Sequence, residues 1–217
     1  MDIDFWQQRW AENQIGFHMP EVNPYLSEFW AQLSVLPGST VLVPLCGKTL
    51  DLVWFVSNQY SVLGVECSDQ AIEDFFAEQS IKAAKEPYKS FTAHRGENIN
   101  LLHGDFFKLD KHALSNVAAV YDRASLVALP ENMRADYAGI LSSFLPQSVS
   151  ILLVTLEYDQ SLMSGPPFSV SDREVHELYS PHFNIELLEQ FDVLENQPRF
   201  RDRGLDYMLE RVYKISR

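Results

Sequence analysis

Three kinds of residue in this chain could do chemistry: acids that follow short apolar runs, one loop of small residues, and a late group of arginines. Glu66 closes the run Ser61-Val-Leu-Gly-Val65 and lies 19 residues beyond Gly47. An acid at the tip of a second strand can accept hydrogen bonds from both ribose hydroxyls of a nucleoside-bearing ligand. Asp105 follows the run Asn98 to His103, and Asp122-Arg123 follows Val117 to Tyr121. Glu157-Tyr158 follows Val149 to Leu156, and Arg199, Arg201 and Arg203 lie in one late connection. Asp105 fits a turn or helix-capping acid somewhat better than a ligand contact. Glu66 could equally be a solvated strand end, and Gly47 a turn residue.

Several chemistries are excluded. The tail Gly47-Lys48-Thr49 resembles a phosphate-binding loop, but that motif needs a glycine where Leu42 stands inside a strand. No G-x-S-x-G elbow occurs, which argues against a serine hydrolase. The histidines, His18, His94, His103, His112, His176 and His182, show neither the spacing nor the cysteine neighbours of a zinc site, so no metal is expected. Cys46 and Cys67 form neither a C-x-x-C pair nor a disulfide framework, and reduced thiols fit a cytoplasmic protein. The formal net charge of −13 disfavours nucleic acid and anionic membranes as partners. The start Met-Asp-Ile-Asp shows no secretory signal, and no apolar run approaches membrane-spanning length.

The elements that must position these residues follow from periodicity. Phe5, Trp6 and Trp10 predict a helix over 4–12, and Phe29, Trp30 and Leu33 one over 25–34. The loop between them carries Gly16-Phe-His-Met-Pro20, aromatic where polar turn residues are expected. Trp10 and Phe17 read equally as core or as a lid over a ligand. After Pro37-Gly38, Thr40 to Val43 is a buried strand, Pro44 ends it, and Thr49 caps a helix with Leu50, Leu52, Val53, Trp54 and Phe55. Ser68 or Asp69 caps a helix to Gln79, and residues 80–97 read as polar and irregular. Strands are expected at Asn98–His103, Val117–Tyr121 and Val149–Leu156. Helices are expected at Pro130–Phe144 and Ser171–Tyr179, the latter with a Ser171/Glu174 capping box. Two late strands run Phe183–Leu194 and Leu205–Ile215.

The expected fold is α/β: a doubly wound, Rossmann-like sheet, mostly parallel, with an antiparallel C-terminal strand and a helical N-terminal arm. At 217 residues, with 46% hydrophobic and 22% charged, the chain reads as one domain, arm 1–36 and core 39–217, with no repeat or linker.

A nucleoside-recognising acid, a small-residue loop, aromatic covers and an arginine suit a bound cofactor that the protein holds and orients. In sequence the chain resembles the thiopurine S-methyltransferases. The resemblance rests on Trp6-Gln-Gln-Arg-Trp10 through Gly16-Phe-His18, Val43-Pro-Leu-Cys-Gly-Lys-Thr-Leu-Asp-Leu-Val-Trp54 and Gly64-Val-Glu66. It continues through Gly104-Asp-Phe-Phe107, Tyr121-Asp-Arg-Ala-Ser-Leu126, Gly165-Pro-Pro-Phe168 and Gly204 to Tyr213. It implies S-adenosyl-L-methionine as cofactor, S-adenosyl-L-homocysteine as product, and Trp10, Leu45, Glu66 and Arg123 as cofactor contacts. It implies Phe17, Arg123 and Arg199 at the acceptor, with Arg201 or Arg203 as alternatives to Arg199, and no obligatory catalytic acid or base. The expected acceptors are thiopurines and other aromatic or heterocyclic thiols, with selenium or tellurium compounds open, and a monomer is expected. A nucleotide kinase using Lys48-Thr49 and a non-catalytic nucleoside-binding regulator are the competing readings.

Overall fold

A computed structural model describes residues 3–217, with the side chains of Pro198 and Arg199 outside the described set. One nine-stranded sheet organises the chain, in the order β3-β4-β5-β2-β1-β6-β7-β9-β8. The strands are β1 (Thr40–Pro44), β2 (Ser61–Glu66), β3 (Ala84–Tyr88), β4 (Phe91–Arg95), β5 (Ile99–His103), β6 (Val117–Arg123), β7 (Ser150–Glu157), β8 (Asn184–Asp192) and β9 (Leu209–Ser216). The central strands β5, β2, β1, β6 and β7 are parallel, and antiparallel strands complete both edges. β1 leads one way to β2 and the other way to β6, so the strand order reverses at β1/β6. A crevice opens outside the carboxyl ends at such a point.

Helices α1 (Ile3–Ala11) and α2 (Pro24–Phe29) form the arm, and α3 (Asp51–Ser57) and α4 (Asp69–Glu78) connect the first parallel strands. α5 (Glu131–Phe144), α6 (Asp172–Tyr179) and the short α7 (Pro198–Arg201) follow. The parallel strands are apolar on both faces because helices cover both. One core layer joins Leu42, Val120, Leu153, Tyr137 and Tyr179, and the other joins Val41, Val43, Phe55, Phe75 and Tyr121.

Three local expectations are corrected. Residues 80–97 are not irregular: β3 and β4 form an antiparallel hairpin with Tyr88 opposite Phe91. Pro87 sits in an exposed edge strand, where a missing N–H costs the ladder nothing. Thr49 is not the cap residue of α3; Leu50 holds that position, although Thr49 Oγ1 still accepts the Asp51 N–H at 3.3 Å. Ser171 caps α6 by accepting the Glu174 N–H, but the Glu174 carboxylate turns away to the buried Arg134, 2.7 Å from each oxygen. A tertiary ion pair therefore takes the place of half the expected box.

Candidate active site

The loop Leu45–Thr49 is the centre of the site. β1 ends at Pro44, and Leu45 and Gly47 both take positive φ, 44° and 51°. A leucine there is strained by about 1–3 kcal/mol and persists only where its surroundings hold it. Three contacts hold it. Ser125 Oγ donates to the Pro44 carbonyl at 2.6 Å, and Cys46 N–H donates to the Val65 carbonyl at 3.1 Å. Gly47 N–H donates to Glu66 Oε2 at 2.8 Å. Glycine is required at 47 on two grounds: its φ, and the Trp10 ring, which would stand 3.0 Å from an added Cβ.

Glu66 therefore does more than terminate β2. Its second oxygen, Oε1, accepts the Ser68 N–H at 2.8 Å and the Cys67 thiol at 3.4 Å. It ties the β1 loop to the start of α4. Burial raises its pKa, and the N–H groups of Ser68 and Gly47 pull it back. Each carboxylate oxygen has more than one acceptor site, so a ligand hydroxyl can be added to these bonds.

A cleft of about 580 Å³ lies over the switch point. Trp10, Phe17, Leu45, Glu66 and Arg123, named from the sequence, all line it. Trp10 is buried, and its ring meets Phe17 edge-on at 5.5 Å. Arg123 ends β6 and has no ion-pair partner among the described residues, so a guanidinium is left facing the cleft. Ala124, next in the chain, takes φ 64° and turns the backbone around the rim. The arginine group divides: Arg203 lines the cleft, Arg201 does not, and the Arg199 side chain lies outside the described residues, with its backbone in α7.

Two strand-end acids do other work. Asp122 is fully buried in β6 and faces the core, accepting the Tyr137 hydroxyl at 2.6 Å and the Leu126 N–H at 3.1 Å. Burial raises its pKa to about 6. Glu157 pairs with Arg211 and accepts the Asp172 N–H. Asp105 caps the following turn by accepting the Phe107 N–H at 3.0 Å and also lines the cleft.

Further residues complete the walls. His18 is half-buried there, and burial, then the Lys48 charge, lowers its pKa. Met133, Pro166 and Pro167 supply apolar surface, the latter two after consecutive cis peptide bonds. Asp51, Tyr121 and Glu210 supply polar groups. Only the fold brings these last three together, so no local pattern could have announced them.

The likeness to known proteins runs the length of the chain. The family described as Thiopurine S-methyltransferase (TPMT) matches residues 1–217. A thiopurine S-methyltransferase of Pseudomonas putida is 49% identical over 217 residues, covering 100% of both chains. One of Azotobacter vinelandii is 47% identical with the same coverage. Among solved structures, a Burkholderia thailandensis 1,6-didemethyltoxoflavin-N1-methyltransferase with bound S-adenosylhomocysteine shares the fold at a TM-score of 0.66 and 15% identity, covering 99% of this chain and 87% of that one. The chain belongs to the thiopurine S-methyltransferase family.

Proposed function

We propose that this protein transfers the methyl group of S-adenosylmethionine to the sulfur of aromatic and heterocyclic thiols. The observation that carries the reading is the cleft at the β1/β6 switch point, closed by Trp10 on Gly47 and clamped by Glu66, in a chain that matches this family throughout. The fit to the cofactor rests on that geometry. Gly47 lets the Trp10 ring close directly over the loop, and Glu66 offers a buried acceptor for the ribose diol. Leu45 presents backbone beside the methionyl part, and Trp10 covers the ligand from the arm, which acts as a lid on a single methyltransferase domain.

When bound, the cofactor supplies an electrophilic methyl group on a sulfonium. The chain's own task is alignment, for which effective molarities on the order of 10⁵ M or more are attainable. The Arg123 guanidinium favours the thiolate over the thiol of an acceptor beside it, because a nearby positive charge stabilises the ionised form. Heterocyclic thiols ionise readily, so no residue need act as an obligatory base. Phe17 and Met133 give the acceptor ring apolar contact, and an arginine of the 199–203 segment meets its negative charge. Arg203, on the cleft wall, and Arg199 are the candidates.

We read the protein as a cytoplasmic monomer acting on small molecules, on the support of its acidic surface and unpaired thiols. No described helix is long and apolar enough to cross a membrane. A methyl-transfer assay over thiopurines, carboxylate-bearing aromatic thiols, selenite and tellurite tests the proposal. Turnover of aromatic thiols supports it, and turnover of selenite or tellurite would extend it. Absence of transfer to every thiol, with S-adenosylhomocysteine bound, would overturn the acceptor class.

A further inference from the structure

Asp51 is the most deeply buried carboxylate on the cleft wall, 1% exposed, at the start of α3. Its Oδ1 accepts the Asn23 N–H at 2.8 Å, which fastens the arm to α3. No basic side chain pairs with it among the described residues. The Tyr121 hydroxyl stands near it on the same wall. That residue is 1% exposed, and its hydroxyl finds no hydrogen-bond partner of acceptable geometry. Burial, then the Asp51 charge, pushes the phenol's pKa up, so the group stays a neutral donor and acceptor. A buried carboxylate with no basic partner, faced by a phenol hydroxyl that reaches no well-aligned hydrogen bond, is costly, and both groups open onto one ligand cavity. The tether to Asn23 accounts for one oxygen of Asp51 and leaves its charge unanswered.

Position decides which cation belongs there. Glu66 ends β2, Tyr121 lies in β6, and β1 runs between them. Neighbouring strands are about 4.8 Å apart, so the two residues are separated across the sheet by roughly 10 Å. An extended amino-acid arm on a nucleoside held at Glu66 is long enough to cross the Leu45–Thr49 loop and reach that point, since Leu45, Glu66, Asp51 and Tyr121 line one cleft. We infer that Asp51, with the Tyr121 hydroxyl beside it, receives the α-ammonium group of the cofactor's methionyl arm. This rests on the reading of the cleft as an S-adenosylmethionine site. The ion pair would neutralise the buried carboxylate, and the ammonium, with three donors, can serve Asp51 and the phenol oxygen together.

Calorimetry with three ligands tests this without relying on turnover: S-adenosylhomocysteine, the same molecule lacking its α-amino group, and methylthioadenosine, which lacks the amino-acid arm. The expected result is that the wild-type protein binds the deaminated analogue at least tenfold more weakly than S-adenosylhomocysteine. In Asp51→Asn that ratio should fall to near one, with methylthioadenosine affinity unchanged. Tyr121→Phe should reduce the ratio partly. Equal binding of both ligands by the wild-type protein would overturn the inference without any variant. So would a folded Asp51→Asn protein that keeps the wild-type ratio, or one that loses affinity for all three ligands equally. A wild-type protein that binds none of them would overturn the cofactor reading itself, and the inference with it.

Discussion

The two halves of the cleft are built differently. On the side of β1, the Leu45–Thr49 loop and the end of β2, the walls are largely buried backbone and short side chains. Glu66 is 4% exposed, and its oxygens take two backbone N–H groups and a thiol. On the side of the loop after α1, the start of α5, the 159–169 loop and the segment after β8, the walls are aromatic, apolar or cationic side chains. Phe17, Met133 and Pro166 belong there, with the exposed Arg203 above Phe200, its guanidinium 5.8 Å from the ring. A half held by buried hydrogen bonds recognises one fixed ligand shape, whereas one held by dispersion and an exposed charge tolerates variation in its ligand. That contrast suits an invariant methyl donor beside a variable thiol.

The largest expected effect breaks the first half. Glu66→Ala removes the acceptor of two buried N–H groups as well as the proposed ribose contact, and hydrogen bonds to a charged group contribute about 1.5–3 kcal/mol each. We expect a loss of S-adenosylhomocysteine affinity of roughly 30-fold or more, together with a clear fall in melting temperature. A strand-tip acid that only met a ligand would lose affinity with the fold intact; the clamp on Gly47 and Ser68 adds the loss of stability. Calorimetry and thermal melts read both effects. Wild-type affinity in a folded variant would end the ribose assignment.

That difference marks where the sequence was legible. The run from Thr40 to Glu66 was readable because each step is local: a β-branched strand, a proline stop, a helix period, a second strand. The β3–β4 hairpin was not. Its turn is Lys89-Ser90 rather than an Asn-Gly type, and its outer strand carries Pro87, so sheet pairing alone defines it. Likewise the sequence could place Glu66 at a strand tip but could not reveal that backbone donors already occupy both oxygens. Asp51, Tyr121 and Glu210 meet only across the sheet.

Asp122 and Arg123 sharpen the comparison because neighbouring residues at the shared floor face opposite ways. Asp122 has a folded pKa of about 6 against 3.8 for the ordinary side chain. Between those values the folded state binds more protons than the unfolded one, so this group's contribution to stability falls as pH rises from about 4 to 6 and is flat above. Asp122→Asn has no such decline. It should therefore be more destabilising at pH 4.5 than at pH 7.5, by about 2 kcal/mol, since each tenfold change in proton affinity corresponds to ~1.4 kcal/mol. Cofactor affinity should hardly change. Arg123→Ala should do the reverse, impairing cofactor and acceptor binding with little effect on melting. Denaturant titrations at the two pH values decide, and a pH-independent difference would mean that Asp122 titrates normally.

The second half should respond more weakly. Arg203 is exposed, and exposed ion pairs contribute about 0–1 kcal/mol. Arg203→Ala should raise KM for a carboxylate-bearing aromatic thiol by up to about fivefold, with cofactor affinity unchanged. Arg201→Ala, off the cleft, is the control and should change nothing. If Arg199→Ala moves KM and Arg203→Ala does not, the acceptor's partner is Arg199.

The smallest effect is expected at the thiols, although both stand beside the Glu66 clamp. Thiolates, not thiols, are nucleophiles, and a thiol is inert when its pKa is raised. Cys46 is fully buried, and burial, then the Glu66 charge, pushes its pKa well above the usual range. The same two causes, in the same order, raise Cys67. Cys46 has a packing role, since a Cβ added at Gly64 would lie 2.8 Å from its sulfur. Cys67 donates only a long contact to Glu66 Oε1, which a serine hydroxyl can replace. Cys67→Ser should therefore keep kcat/KM within about twofold, because exchanging one weak donor for another alters little of the clamp. Cys46→Ser should retain turnover with a modest fall in melting temperature, since it buries a more polar group. If either variant folds normally yet loses all turnover, methyl transfer passes through a cysteine, and the Glu66 half of the cleft contains the nucleophile.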